Sequence, residues 1–95
     1  MTIEATLQVK YGKYSYILMV KMIRVAPASY FFIRDKENER PLLSGKTLEL
    51  TYRDSFSLTE FGGVLKSPGI PKRIVSAVQK GILDKRQTWL LGQDK

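Results

Sequence analysis

The sequence predicts a small α+β domain, with a mainly antiparallel β-sheet or partly open barrel of about five strands and one C-terminal amphipathic helix. Two patterns carry this prediction. Apolar and polar residues alternate over most of the first half of the chain, which is the period of half-buried strands. Further on, apolar residues recur every four positions, as on one face of a helix. The chain has 95 residues, and a chain of this size buries about 60–65% of its unfolded surface. That is enough for one hydrophobic core and not for two, so residues 1–95 are expected to form a single domain.

The first two strands are predicted to form a β-hairpin. Alternation begins at Ile3 and continues to Lys10, and Tyr11-Gly12 then offers a turn. From Lys13 a longer alternation begins. Because Pro27 cannot donate a hydrogen bond to a neighbouring strand, the second strand is expected to end near Arg24. The residues expected to share the buried face of the second strand are Tyr14, Tyr16, Leu18, Val20 and Met22.

Three further strands are expected. Tyr30-Phe31-Phe32-Ile33 is the strongest short β pattern, and a charged loop over residues 35–41 follows it. A fourth strand is predicted from Lys46 to Arg53. Residues 55–61 are a candidate fifth strand. Residues 62–70, rich in glycine and proline, are predicted to be a loop whose glycines serve turn geometry. An anion site on the free backbone N–H groups at the start of the helix is the alternative use of this loop.

The helix is predicted to begin at Pro71, where the missing N–H is tolerated. Its apolar face is Ile70, Ile74, Val78 and Ile82, with Ala77 beside them and Val75 at the margin. Gly81 is interpreted either as a C-terminal cap or as a point of close packing on that face. Residues 87–92 are a candidate last strand that would close the sheet.

The composition argues against several kinds of chemistry. The chain has no His and no Cys, which excludes Ser-His-Asp and Cys-His catalysis, imidazole or thiolate zinc sites and disulfides. The clustered carboxylates Asp35, Glu37 and Glu39 are neutralised locally by Lys36 and Arg40, so neither a metal nor a catalytic role is expected of them. We therefore expect a protein that is not an enzyme and has no cofactor. Neither a signal peptide nor a membrane span is visible, which predicts a cytoplasmic protein with no membrane partner.

The charge favours a nucleic-acid partner. The net charge is +7, and it is divided into +4 over residues 1–34, −2 over residues 35–60 and +5 over residues 61–95. If the fold brings the two basic segments together, they form a positive surface of the kind that binds phosphates. The predicted nucleic-acid-binding residues are Lys10, Tyr11, Lys13, Lys21, Lys72, Arg73, Lys80, Lys85 and Arg86. Among them Tyr11, in the turn, is the candidate for stacking on a base.

The alternative is a protein–protein adaptor or inhibitor that binds an acidic partner surface. Ile17 and Met19 lie on the otherwise polar face of the second strand and would mark that contact. Homodimerisation through the same patch is an equally natural use. The sequence does not choose between DNA, RNA and a protein partner.

Overall fold

The computed structural model describes residues 2–25, 28–53 and 63–93, with the backbone alone for residue 53, residues 63–65 and residues 86–93. It confirms the predicted α+β class, since one antiparallel sheet is followed by one helix near the C-terminus. The elements are β1 (Thr2–Tyr11), β2 (Tyr14–Val25), β3 (Ala28–Asp35), β4 (Leu48–Arg53), β5 (Gly63–Lys66) and α1 (Lys72–Gln93). The sequence-predicted candidate strand over residues 55–61 lies outside the described residues.

The five strands pair in chain order, so the sheet is an antiparallel meander. Within the described residues β1 and β5 are its two edges, which makes it an open sheet rather than a barrel. The predicted hairpin of β1 and β2 is confirmed, with Tyr11 opposite Tyr14 at its end. Its two-residue turn begins at Gly12, whose φ of +64° suits the first central position of a tight hairpin turn.

One face of the sheet, here called the inner face, carries most of the core. The alternation predicted for β1, β2 and β4 is confirmed there, because the residues that it points inward are buried or half-buried, with Tyr14 at the end of β2 as the exception. Those of the inner face that are less than a tenth exposed are Leu7, Val9, Leu18, Val20, Met22, Ser29, Phe31, Ile33, Leu48, Leu50 and Tyr52. Phe31 and Tyr52 meet edge to face, with ring centres 5.0 Å apart.

Helix α1 covers the inner face with its own apolar stripe. Val78 and Ile82 are almost completely buried, and burial of each side chain contributes about 1.5–3 kcal/mol to stability. Val75 is more deeply buried than Ile74, which the period of four had placed nearer the centre of the stripe. At its start, Ile74 and Val75 both donate backbone N–H bonds to the Pro71 carbonyl. In the described part of the chain no helix is long and apolar enough to cross a membrane.

The prediction of a last strand over residues 87–92 was wrong, because α1 continues to Gln93. Its 22 residues extend over about 33 Å. The segment after Gly81 contains Lys, Arg, Gln and Leu, all good helix formers, and no proline interrupts it. Since an uninterrupted helix adds one hydrogen bond for each residue fixed, continuation was favoured over a new strand.

The prediction of a loop throughout residues 62–70 was wrong as well, since Gly63–Lys66 form β5. This strand pairs with β4, and its register shifts by one residue between Glu49 and Leu50. Pairing satisfies backbone groups on the edge of β4 that would otherwise need other partners. That gain depends on a strand distant in sequence, so the local Gly and Pro pattern did not reveal it.

Asp35 organises the connection between β3 and β4. Its Oδ1 accepts the backbone N–H groups of Leu42 and Leu43, and its Oδ2 accepts that of Gly45, all at 2.8 Å. The two leucines are buried in the core at 6% and 1% exposure. The carboxylate therefore fixes the loop so that these side chains turn inward.

Candidate nucleic-acid interface

A groove between β1 and α1 brings the two basic segments of the chain together. We call it the lysine groove. It is lined by Gln8, Val9, Lys10, Ala77, Lys80, Gly81, Asp84 and Lys85. Three lysines from two elements thus share one concave surface with a single carboxylate, Asp84.

Close packing at Gly81 is what places the helix beside β1. A β carbon at Gly81 would lie 3.3 Å from Val9 Cγ2 and 3.5 Å from the methyl groups of Leu7. The second interpretation of this glycine, close packing within the helix, is therefore the observed one. Because the helix backbone approaches the strand here, Lys80 comes to border the same groove as Lys10.

The basic residues of α1 divide between its two flanks. Arg73 precedes Lys80 by seven residues, close to two turns, so it lies on the same side of the helix and extends its basic row toward the N-terminus. Lys72 instead lines a separate cleft with Ser76 and Gln79. The structure consequently separates Lys72 from the lysine groove, although the sequence had grouped it with Arg73 and Lys80. The Arg86 side chain lies outside the described residues.

The hairpin end presents Lys13 and Tyr14 to solvent. Lys13 is exposed in the turn, whereas Tyr11, the predicted stacking residue, is half-buried against the core. Tyr14 is 50% exposed, so the expectation that it belongs to the core is wrong, because it lies at the end of β2 beyond the buried residues. The Arg40 guanidinium carbon sits 3.9 Å from the centre of the Tyr14 ring, an attractive cation–π arrangement.

The face of the sheet away from α1, here called the outer face, carries the remaining predicted residues. Strand alternation places Lys21, Ile17 and Met19 on it. Lys21 is exposed, while Ile17 and Met19 are partly exposed. Lys21 thus stands apart from the lysine groove and lines a shallow depression with Glu4, Met19, Phe32, Arg34 and Thr47.

Sequence reasoning missed the outward residues of β3. Tyr30 and Phe32 are outward because their neighbours Phe31 and Ile33 are buried. The run Tyr30-Phe31-Phe32-Ile33 was interpreted only as a β pattern, and its alternation was the available signal that half of its side chains point away from the core.

The carboxylate cluster offers little for catalysis. Asp35 is committed to three backbone N–H groups, while Glu37 and Glu39 are exposed. Among the residues that the structure describes, no group of three or more His, Cys, Asp or Glu side chains is placed to hold a metal ion.

Comparison of the chain with protein-family models, with curated proteins and with solved structures found no match. A fold by itself does not define an activity, so the functional evidence lies in the chemistry of the surfaces described above.

Proposed function

We propose that the protein is a non-catalytic module that binds nucleic acid through the lysine groove. The observation that carries this proposal is the convergence of Lys10 on β1 with Lys80 and Lys85 on α1, which are distant from Lys10 in sequence, on one groove. A concave surface with a net charge of one sign concentrates ligands of the opposite sign. A phosphate backbone is the extended anion that a row of lysines fits best.

Additional basic residues extend the positive surface away from the groove. Arg73 continues the row along α1, and Lys13 projects from the hairpin turn that follows Lys10. Both are exposed and free to approach a long polyanion. Two other lysines of the predicted set, Lys21 and Lys72, lie on other surfaces. They contribute to the overall positive potential of the protein and not to the groove.

The test is the salt dependence of binding to labelled DNA and RNA, measured by fluorescence anisotropy. Neutralisation of three phosphates alone gives a slope of log K against log salt of about −2 to −3, or a loss of roughly 20- to 40-fold between 50 and 200 mM salt. Lys10→Gln combined with Lys80→Gln should remove about two units of that slope. The double change Arg73→Glu with Lys80→Glu should abolish binding at physiological salt. Wild-type protein that binds neither nucleic acid at low salt would refute the proposal.

A protein–protein adaptor or homodimer is the second candidate, and the observation that favours it is the partial exposure of Ile17 and Met19 on the outer face. The proposed contact would place these side chains against an acidic partner surface or a second copy of the chain. Light scattering after size-exclusion chromatography tests the dimer. A dimer that becomes a monomer in Ile17→Lys supports this candidate, and a monomer in both proteins argues against it.

The proposed location is the cytoplasm, where a nucleic-acid-binding module meets RNA. Fractionation of cells that express a tagged chain tests this location. Co-purification of the tagged chain with its partner, carried out with and without nuclease treatment, tests the class of that partner. Co-purification that is lost on nuclease treatment supports a nucleic-acid partner, and co-purification that survives it supports a protein partner.

A further inference from the structure

The outer face combines aromatic and basic side chains in one area. Phe32 lies in register with Lys21 on the neighbouring strand, and Arg34 lies in register with Met19. All four line the same shallow depression. Phe32 is only partly buried, while Lys21 and Arg34 are exposed, so a ring and two cations are accessible together.

A second ring lies on the same strand. Tyr30 is two residues from Phe32 and points to the same face, which separates the two side chains by about 7 Å along β3. Tyr30 is also partly exposed. Two rings at this spacing on a sheet offer successive stacking platforms, the arrangement by which sheet surfaces hold unpaired bases.

The charges around these rings favour bases over a bare phosphate backbone. One row across all five strands reads Glu4, Lys21, Phe32, Glu49 and Lys66. With Arg34 beside it, this area has three basic and two acidic groups, so its net charge is small and it provides only weak attraction for a duplex exterior. Carboxylates accept hydrogen bonds from the amino groups of bases, and an unpaired strand leaves its Watson–Crick edges free for such bonds.

The lysine groove and the outer face are continuous. Gln8 and Lys10 line the groove, and by strand alternation both belong to the outer face, opposite Ile17 and Ser15. From Lys10 to the row of Phe32 the path is about 20 Å along β1 and about 10 Å across two strand spacings. A short single strand spans that path.

We propose that single-stranded nucleic acid passes from the lysine groove onto the outer face and stacks its bases on Phe32 and Tyr30. This inference rests on the proposed nucleic-acid binding and specifies its substrate class. The lysines hold phosphates without regard to base, and the two rings discriminate unpaired strands from duplexes.

The test compares three labelled probes by anisotropy: a single strand of about 12 nucleotides, an abasic strand of the same length and a duplex. Phe32→Leu retains an apolar side chain but removes the stacking ring, and Val25→Ala is the control, since Val25 is an exposed apolar residue of the same face outside the depression. We expect Phe32→Leu to weaken binding of the base-bearing strand by about 5- to 150-fold, the loss of one stacked base. Binding of the abasic strand should be unchanged, and Val25→Ala should affect neither probe.

A conservative variant separates stacking from folding. Phe32→Trp should retain binding of the base-bearing strand, and Tyr30→Leu should reproduce the selective loss seen with Phe32→Leu. If Phe32→Leu fails to fold, Tyr30→Leu measured against the abasic strand carries the test.

The outcomes distinguish the two proposals. If none of the probes binds wild-type protein at low salt, the proposed function itself fails. If the base-bearing and abasic strands bind alike, or both ring variants weaken them equally, nucleic-acid binding stands and the stacking inference is overturned. A dimer that Phe32→Leu converts to a monomer also overturns it, because the outer face would then belong to a second copy of the chain.

Discussion

Gly81 and Val9 are so close that a β carbon on the glycine would lie 3.3 Å from Cγ2 of the valine. This contact sets the distance between α1 and β1, and with it the width of the lysine groove. An alanine at position 81 gains about 1 kcal/mol of helix propensity but tightens the contact with Val9. We expect Gly81→Ala to change the free energy of unfolding by less than about 1 kcal/mol.

Gly81→Leu should behave differently, because a longer side chain cannot be placed without moving the helix. We expect it to destabilise the protein by about 1–3 kcal/mol, measured by urea denaturation, and to weaken nucleic-acid binding as Lys80 moves away from Lys10. Ser76→Leu is the matched control, since Ser76 is an exposed position on the same helix. Equal stability of the two leucine variants would show that the Gly81 contact does not set the helix position.

The face assignments of the fold could be predicted because burial imposes a period on the sequence. Alternation identified the inward side chains of β1, β2 and β4, and the period of four identified most of the buried stripe of α1. Gly81 shows the limit of such patterns. Two interpretations were open because a glycine on an apolar face has the same sequence signal whether it ends a helix or packs against a strand.

The connection from β3 to β4 shows what a local pattern does not contain. Charged residues predicted a solvated loop over residues 35–41, and Glu37, Glu39 and Arg40 are indeed exposed. The sequence did not show that Asp35 would accept three backbone N–H groups from the far end of that loop. Such bonds depend on the path of the loop and not on the order of residue types.

Asp35→Ala should therefore destabilise the protein more than other changes in this loop. Hydrogen bonds to a charged acceptor are worth about 1.5–3 kcal/mol each, and two of the three bonds here are only partly exposed to water. We expect a loss of about 2–4 kcal/mol in the free energy of unfolding. Thermal or urea denaturation followed by circular dichroism measures it.

Two further variants test whether the lost hydrogen bonds cause the loss of stability in Asp35→Ala. Asp35→Asn keeps one acceptor oxygen for Leu42 and Leu43 but loses the bond to Gly45, so an intermediate loss is expected. Glu37→Ala removes a neighbouring exposed carboxylate and should change stability by less than about 0.5 kcal/mol. If Asp35→Ala is as mild as Glu37→Ala, the carboxylate does not hold the loop.

The two lysines of α1 provide a test of position against charge. Lys80 lines the lysine groove, whereas Lys72 lines the cleft on the other flank of the helix. We expect Lys80→Gln to lower the magnitude of the salt slope by about one unit and Lys72→Gln to leave it nearly unchanged. Anisotropy titrations at several salt concentrations measure both, and an equal effect of the two variants would indicate binding through overall charge alone.

The helical wheel predicted the basic residues of α1 but not this division. Lys72, Arg73 and Lys80 all lie opposite the apolar stripe, so the helical wheel contains no reason to separate them. The separation arises because β1 lies along one flank only. Which flank it occupies is decided by the contact of Gly81 with Leu7 and Val9, which joins residues more than 70 positions apart.

The cost of a substitution at Gly12 should depend on its backbone conformation and not on steric contacts. Its φ is +64°, and no atom lies within 4 Å of the position that a β carbon would take. Gly12→Ala is expected to cost about 1–2 kcal/mol because an L-residue is strained in the left-handed region. Gly12→Asn should cost less, since asparagine visits this region more readily. Denaturation midpoints of the two variants should fall in that order, with wild type highest, and equal midpoints for Ala and Asn would mean that the turn adopts another conformation in solution.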